Sequence, residues 1–299
     1  MKLLITGAWS EANNHIDAIT ALGHQVIWMQ NEKDALPCAY EAVEGVICNG
    51  LFLYHPIEKF TSLKFVQLTS AGYDRMPMDY AKSHGIAVYN AKGVYSIPMA
   101  EMAVCGVLQL YKQSRFFMEH QADQCWEKHR GLLELAGKRV CIVGCGSVGT
   151  ECAKRFSAFD CHITGVAIRP RPSAYFDAVV DLGSLYAVLP TADIVILAVP
   201  YAPETAKLMD AKSFAAMKPG AVLVNLARGQ IVDTNSLLEA LSGKLLGAVL
   251  DVFEEEPLPA AHPLWQKHNV ILTPHNSFVG EGNPGRMARL IMKNLEFQR

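Results

Sequence analysis

The sequence predicts an α/β protein made of two doubly wound parallel-sheet domains. Short apolar segments recur along the whole chain and alternate with stretches of helical or loop character. The spacing between successive strand candidates leaves room for the crossover connections that parallel strands need. A glycine-rich turn between a strand and a helix, beginning at Gly144, marks the second domain.

The first 90 residues predict the smaller of the two domains. A helix is predicted over Asn13–Leu22, and Gly23 stops it. Because apolar runs bounded by turn residues alternate with this kind of segment, a small sheet with helices on its faces is expected. The strand candidates are Lys2–Thr6, Gln25–Met29, Gly45–Cys48, Phe65–Leu68 and Ile86–Tyr89.

A long apolar helix, roughly Ile97 to Tyr111, leads into a larger second set of strands. The polar stretch 112–130 that follows it holds few strand signals. We expect helices between the later strands and a C-terminal helix after Pro284 that packs back on the first domain. The strand candidates are Arg139–Val143, His162–Val166, Ile194–Ala198, Ala221–Asn225, Gly247–Asp251 and Val270–Thr273.

Composition excludes several classes of protein. The net charge is −2 and no basic stripe is present, which argues against nucleic acid as a partner. No apolar stretch approaches the roughly 20 residues of a membrane span, and the opening MKLLITGAWS reads as a strand rather than a signal peptide. The 8 cysteines form no C-x-x-C pair, so we expect reduced thiols in a cytoplasmic protein and predict no metal site.

The segment from Val140 to Gly149 contains a dinucleotide-binding loop. Its G-x-G-x-x-G pattern follows an apolar strand and opens a helix. Gly144 suits the tight turn, Gly146 lets the backbone approach a pyrophosphate, and Gly149 lets the helix pack on the strand. The helix N-terminus favours an anion through its unpaired N–H groups and its dipole.

The end of the next strand bears on the choice of cofactor. Ala167 stands where an acidic residue usually binds the adenosine ribose 2′-hydroxyl. Arg169 and Arg171 follow it, and guanidinium groups bind a 2′-phosphate through charge-assisted hydrogen bonds. We therefore favour NADP(H), with NAD(H) possible. In the alternative reading both arginines are solvated turn residues, and the sequence leaves that alternative open.

Three later strands end near groups suited to hydride transfer. Arg228 follows one strand, the acidic run Glu254-Glu255-Glu256 follows the next, and His275 follows the third. A ketone that accepts hydride needs a proton donor, a role that histidine fills near neutral pH. A carboxylate orients the imidazole, and an arginine holds or polarises the substrate. Each residue alone has a simpler structural reading, but their coincidence after a dinucleotide loop favours a dehydrogenase.

The motifs together resemble the D-isomer-specific 2-hydroxyacid dehydrogenase family, from roughly Phe65 to the C-terminus. The family order is kept by GCGSVG, VPYAPET, LVNLARGQIVD, GAVLDVFEEEPLP and TPH, which run from Gly144 to His275. The resemblance implies that Arg228 binds substrate, that His275 is the acid/base and that Glu256 supports it. It implies cofactor contacts at Ser147, Val148, Val199, Pro200, Thr205, Ala227 and Asp251, the last with the nicotinamide amide. It implies substrate contacts at Ala71, Gly72 and Tyr73.

The resemblance also implies an architecture and an activity. Residues 1–98 and 276–299 would form a flavodoxin-like substrate-binding domain, and residues 99–275 a Rossmann-type cofactor domain. Two chains would pair as a homodimer through the cofactor domain. The activity would be NAD(P)-dependent reduction of a small 2-keto acid to the D-2-hydroxy acid, or the reverse. The sequence departs from the family at Ala167 and at Asn276-Ser277-Phe278, which predicts an unusual substrate pocket.

Three other functions remain open at this point. A formate dehydrogenase-like enzyme shares the fold, but formate has no ketone to protonate, so Glu256 and His275 argue against it. A nucleotide-sensing regulatory protein can keep the same residues. A bare nucleotide-binding module is disfavoured by the intact Arg228. Among substrates, glyoxylate, hydroxypyruvate, pyruvate and bulkier keto acids all suit the same groups.

Overall fold

The structure, a computed structural model, describes residues 1–297 and divides into two compact units. The first unit is Met1–Tyr95 together with the C-terminal segment from Gly280, and the second is Ser96–Val279. The first domain was expected to end at residue 98 and to resume at residue 276, whereas the first unit ends at Tyr95 and resumes at Gly280. The functional roles given to the two domains remain predictions.

The first unit is built on a five-stranded sheet in the order β2-β1-β3-β4-β5, and every neighbouring pair is parallel. This is the order of flavodoxin-like folds. The strands are β1 (Lys2–Thr6), β2 (Gln25–Met29), β3 (Gly45–Cys48), β4 (Phe65–Leu68) and β5 (Ala87–Tyr89). The α-helices are α1 (Ile16–Ala21), α2 (Met78–Ser83) and, from the C-terminal segment, α9 (Asn283–Glu296).

Alternation along β1 divides the core of the first unit into two layers. Leu3 and Ile5 are buried with the apolar side of α9, whereas Leu4 is buried on the opposite face. Such alternation follows from the two-residue repeat of a strand. A buried hydrogen bond from Asn294 Nδ2 to Gln67 Oε1, 2.7 Å long, also joins α9 to β4. The C-terminal helix is thus an integral part of the first unit.

The second unit contains a seven-stranded, all-parallel sheet in the order β12-β11-β10-β9-β6-β7-β8. The chain reverses direction across the sheet between β6 and β9, as in Rossmann-type folds, where ligands bind beyond the carboxyl ends of the strands. The fold class predicted from the sequence is therefore confirmed. The strands are β6 (Arg139–Val143), β7 (His162–Ala167), β8 (Ala178–Asp181), β9 (Ile194–Leu197), β10 (Val222–Asn225), β11 (Gly247–Leu250) and β12 (Val270–Leu272).

Helices cover both faces of this sheet. At Gly106 the helix Ser96–Tyr111 approaches β11 closely, because a Cβ built on this glycine would lie 2.5 Å from Val249 Cγ1. Only glycine at this position lets the backbone of the helix pack so near to the strand. The helices of this unit are α3 (Ser96–Tyr111), α4 (Ser114–Ala122), α5 (Ser147–Ser157), α6 (Leu185–Val188), α7 (Ala211–Ala216) and α8 (Thr234–Leu241). None of the helices in residues 1–297 has the length and hydropathy required to cross a membrane.

Three elements were not predicted from the sequence. β8 is an edge strand whose residues are exposed or half-buried, so it lacks the apolar run that marked the other strands. α2 is a short helix that begins beside Pro77, and its one buried residue is Ala81. α4 lies in the polar stretch after α3 and has no buried residue. Elements that bury little apolar surface leave little periodicity in a sequence.

Candidate active site

The glycine loop brings the connections after β6 and β9 into backbone contact. Gly144 has φ +105°, a conformation that residues with a Cβ rarely adopt. A Cβ there would lie 2.5 Å from the carbonyl carbon of Ala198. The N–H of Gly144 donates to Val166 O at 2.8 Å. Glycine is therefore required at the point where the sheet order reverses.

The two later glycines shape the start of α5. A Cβ on Gly149 would lie 1.9 Å from Gly144 O, whereas a Cβ on Gly146 would meet no atom within 4 Å. The helix opens with a bond from Thr150 N to Gly146 O at 2.8 Å, and no side chain caps its first turn. The half-buried Ser147 and Val148 belong to that turn. Uncapped N–H groups beside an open glycine are the donors that a pyrophosphate requires, so the loop fits a dinucleotide.

Cys145 is packed into the loop rather than presented as a reactive group. A Cβ built on Gly165 of β7 would lie 2.5 Å from its Sγ. Burial raises the pKa of this thiol to about 11, so it is protonated at neutral pH. A half-buried thiol that stays protonated is a poor nucleophile and a poor metal ligand.

The carboxyl end of β7 presents two arginines. Arg169 and Arg171 are exposed, and neither makes a hydrogen bond or ion pair with another residue of the 1–297 range. Asp181 of β8 is paired with Ala167 in the sheet register. Its carboxylate accepts hydrogen bonds from the N–H and hydroxyl of Ser184, at 3.2 and 3.1 Å. The carboxylate of Asp181 is therefore occupied in capping the turn at Ser184. The guanidinium groups of Arg169 and Arg171 have no acceptor within residues 1–297.

The turn after β9 holds Thr205 in its interior. Val199 is buried and Pro200 is exposed. The fully buried Thr205 hydroxyl donates to Pro200 O and accepts from Ala202 N, both at 2.8 Å. These bonds shape the turn, and the cofactor contact of Thr205 remains a prediction.

Asn225, at the end of β10, fixes the turn that presents Arg228. The buried Asn225 amide donates to Arg228 O at 3.0 Å and accepts from Ala227 N at 3.1 Å. Arg228 is half-buried with an extended backbone, and its Nη1 donates to Ala227 O at 2.7 Å. Sequence reasoning gave Asn225 no role, although a buried polar residue that ends an apolar strand is a signal for one.

Gly229 brings the Arg228 turn against the loop after β11. A Cβ on Gly229 would lie 1.9 Å from the carbonyl carbon of Phe253, so the two backbones touch. The N–H of Phe253 donates to Glu256 Oε1 at 3.0 Å. The same loop therefore abuts the arginine turn and fixes the carboxylate. Gly229 was given no role from the sequence.

His275 and Glu256 form a hydrogen-bonded pair. The distance from His275 Nδ1 to Glu256 Oε2 is 2.8 Å. Both side chains are partly exposed, and Nε2 of the imidazole has no hydrogen-bond partner among residues 1–297. This geometry orients the ring and leaves one nitrogen available for proton transfer.

The buried carboxylate of Asp251 holds the backbone around His275. His275 has φ +50°, an uncommon conformation for a residue other than glycine. Its N–H donates to Asp251 O at 2.8 Å. Asp251 Oδ1 accepts from Thr273 Oγ1 at 2.6 Å and from Asn276 N at 2.7 Å. The Asp251 carboxylate thus holds the segment around His275 through hydrogen bonds. Its contact with a nicotinamide amide remains a prediction.

Of the three residues after His275, Ser277 is buried, whereas Asn276 and Phe278 are exposed. Ser277 is buried, and both its N–H and its hydroxyl donate to Asp251. Its hydroxyl therefore faces the carboxylate, and the unusual substrate pocket expected from Asn276-Ser277-Phe278 remains a prediction. The ring of Phe278 is 40% exposed and lies edge-on to the imidazole, with centroids 6.2 Å apart. Phe278 therefore places an exposed ring beside His275, where it can shape a pocket.

In the first unit, the loop after β4 has donors without acceptors. Ser70 Oγ donates to Gly72 O at 2.9 Å, and Asn90 Nδ2 donates to Ala71 O at 2.5 Å. The N–H groups of Ala71, Gly72 and Tyr73 donate to no acceptor in the described part of the chain. The carbonyl groups of Ala71 and Gly72 thus accept hydrogen bonds from side chains, while the N–H groups of the same loop remain available to bind an anion.

Comparisons with known proteins agree with this geometry. The sequence profile of the D-isomer specific 2-hydroxyacid dehydrogenase, NAD binding domain, matches residues 104–277. A glyoxylate reductase of Thermofilum pendens is 36% identical over 279 residues, which cover 88% of this chain and 78% of that protein. A family protein from Aeromonas salmonicida has a similar solved structure, with a TM-score of 0.85, 32% identity, and coverage of 98% and 93%. A dehydrogenase from Xanthobacter autotrophicus, solved with NADPH and MES, gives a TM-score of 0.81, 26% identity, and coverage of 100% and 95%.

Proposed function

The chain belongs to the D-isomer specific 2-hydroxyacid dehydrogenase family, and from that premise we propose that it reduces a small 2-keto acid to the D-2-hydroxy acid with NADPH, or catalyses the reverse oxidation. The observation that carries the proposal is the 2.8 Å pair of His275 and Glu256, with Nε2 available. Stereochemistry tests it. Phenylpyruvate and pyruvate are reduced with the enzyme, and the products are resolved by chiral chromatography. D-hydroxy acids are expected, and L-products would contradict the proposal.

The three polar side chains divide the work of reduction. A bound nicotinamide cofactor supplies the hydride. His275 donates a proton from Nε2 to the carbonyl oxygen as negative charge develops there. Arg228 holds the substrate carboxylate or polarises the carbonyl, and its fixed guanidinium gives the geometry that this needs. Glu256 orients the imidazole through Nδ1 and stabilises its protonated form.

The role of Glu256 predicts a loss of activity when its charge is removed. Glu256→Gln keeps a hydrogen-bond acceptor for Nδ1 but removes the negative charge. The carboxylate then no longer stabilises the positively charged imidazole that donates the proton, so kcat/KM for reduction should fall at least about 10-fold. Glu255→Gln is the matched control, since it makes the same change in net charge at the neighbouring position and should keep the wild-type kcat/KM. A Glu256→Gln enzyme with the wild-type kcat/KM would reject the role.

For the substrate carboxylate we propose the N–H groups of Ala71, Gly72 and Tyr73. The support is that none of the three donates to an acceptor within residues 1–297, while hydrogen bonds hold the loop carbonyls of Ala71 and Gly72. Backbone donors bind a carboxylate without selecting its side chain, so they suit the whole range of 2-keto acids. The choice among these acids then falls to exposed side chains, and Phe278, 40% exposed beside His275, is one candidate.

For the cofactor we propose a preference for NADPH, with Arg169 and Arg171 as ligands of the 2′-phosphate. Each charge-assisted hydrogen bond contributes roughly 1.5–3 kcal/mol, so the double variant Arg169→Ala/Arg171→Ala should raise KM for NADPH at least about 10-fold. The KM for NADH, measured on the same preparations, should stay within about twofold and serves as the control. A variant that retains the wild-type ratio of the two KM values would show that the arginines are only solvated turn residues.

We propose that the second unit pairs with a second copy of the chain. The surface beside α3 and α5 leaves large apolar side chains uncovered, with Phe159, just after α5, 41% exposed. An open groove formed by α3 and α5 is lined by apolar groups that include Val104, Leu108 and Phe159. Light scattering coupled to gel filtration should give twice the chain mass of 32.8 kDa. The mass of a single chain at micromolar concentration would contradict the homodimer.

A further inference from the structure

The turn after α4 brings an imidazole, a thiol and a carboxylate together, away from every residue discussed above as a ligand of cofactor or substrate. The ligand atoms of His120, Cys125 and Glu127 all lie within 4.8 Å of one another. No other group of three such side chains in residues 1–297 meets this condition. We propose that these three residues bind one Zn²⁺ ion or a similar transition metal, although no metal site was predicted from the sequence.

The backbone builds this cluster by folding back at the end of α4. The helix ends at Ala122, and Gln124 then adopts φ +55°. The N–H of Cys125 donates to His120 O at 2.8 Å, which returns the chain to the last turn of the helix. Residues five and seven positions after the histidine are thereby placed beside its ring. The spacing H-x4-C-x-E follows no common zinc pattern, so the sequence alone did not indicate it.

The imidazole of His120 is held in the orientation that a metal ligand needs. Its Nδ1 donates to the backbone carbonyl of Phe116 at 2.8 Å, because a carbonyl oxygen can only accept. The ring of Phe116 lies against the imidazole, with centroids 3.8 Å apart. Nε2 therefore points towards Glu127 Oε2, at 3.2 Å. A histidine that donates one N–H to a backbone carbonyl and turns the other nitrogen outward is the usual arrangement of a metal ligand.

The donor set and its dimensions suit zinc. Thiolate, imidazole and carboxylate are its common ligands, at about 2.0–2.3 Å, so neighbouring ligand atoms in a tetrahedral site lie roughly 3.3–3.8 Å apart. The histidine and the carboxylate are already near this spacing at 3.2 Å. Cys125 and Glu127 are exposed, so small side-chain rotations can bring the thiol into place. A metal would replace the proton shared by His120 and Glu127, and water would complete the fourth position.

Metal binding is tested by calorimetry on tag-free, reduced and chelator-treated protein, titrated with Zn²⁺. One ion per chain is expected. Cys125→Ser should weaken binding by more than the roughly 10–100-fold that follows loss of an outer hydrogen-bond partner, and Glu127→Gln should also weaken it. Cys105→Ser is the matched control, because it removes another exposed thiol and leaves the cluster intact. Absence of saturable binding, an unchanged isotherm in Cys125→Ser, or an equal loss in Cys105→Ser would overturn the proposal.

Cobalt supplies a second readout that identifies the ligands. Co²⁺ bound to the wild-type chain should show a thiolate-to-cobalt charge-transfer band in the near ultraviolet together with visible bands of a four-coordinate ion. The charge-transfer band should vanish in Cys125→Ser and persist in Cys105→Ser. A band that survives in Cys125→Ser would place the metal on another thiol and overturn the proposal.

Discussion

His275→Ala is expected to lower kcat for keto acid reduction by roughly 10²–10⁴-fold, the usual contribution of a positioned general acid. The dissociation constant for NADPH should be unchanged, because the glycine loop and the arginines after β7 are untouched. Stopped-flow or steady-state turnover measures the first quantity, and fluorescence titration with NADPH measures the second.

His268→Ala provides the control for this variant. His268 is an exposed histidine at the other end of β12, so its loss removes an imidazole without touching the Glu256 pair. Its turnover should match that of the wild type. Turnover of His275→Ala within about threefold of the wild type would remove His275 from the mechanism and leave the proton donor unassigned.

Arg228→Ala is expected to lower kcat/KM by about 10²–10³-fold, the range seen when one preorganised donor to a developing oxyanion is removed. The half-buried guanidinium is fixed through Nη1 on Ala227 O, and the turn is fixed by Asn225, so the wild-type side chain meets its substrate in a set geometry. Alanine removes both the charge and this geometry. Kinetics at varied keto acid concentration, with NADPH saturating, give the value.

Arg228→Lys separates charge from geometry. Lysine keeps the positive charge but lacks the planar fork, so it should recover only part of the activity lost in Arg228→Ala. Wild-type activity in Arg228→Lys would show that Arg228 contributes only its positive charge and not the geometry of the guanidinium. An Arg228→Ala enzyme with nearly normal kcat/KM would exclude the residue from substrate binding.

Much of the fold was accessible from the sequence because its central strands are buried on both faces. β9 and β10 read as continuous apolar runs, and these were found within one residue at either end. β8 was missed since an edge strand with two exposed ends carries no such run. The short helices escaped for the same reason, as they bury few side chains.

The sequence placed the three candidate catalytic residues after strands and paired Glu256 with His275, but it did not indicate the residues that fix their loops, and the catalytic roles remain predictions. Arg228, Glu256 and His275 stand after strands, so their common edge followed from topology. The anchoring of the His275 backbone by the buried Asp251 depends on where loops fold back, which no local pattern encodes. The contact of Gly229 with Phe253 is likewise a meeting of two loops distant in sequence. The cluster at His120 was hidden because a single turn, at Gln124, creates it.

The most direct test is a steady-state assay of the purified protein with NADPH and NADH separately, against glyoxylate, hydroxypyruvate, pyruvate and phenylpyruvate. Loss of absorbance with NADPH strongly preferred, on at least one of the four acids, is the predicted result. Turnover with NADH preferred would keep the dehydrogenase and reject the role given to Arg169 and Arg171. Measurable cofactor binding without oxidation of either cofactor by any of the acids would contradict the proposed activity and favour a nucleotide-sensing regulatory protein.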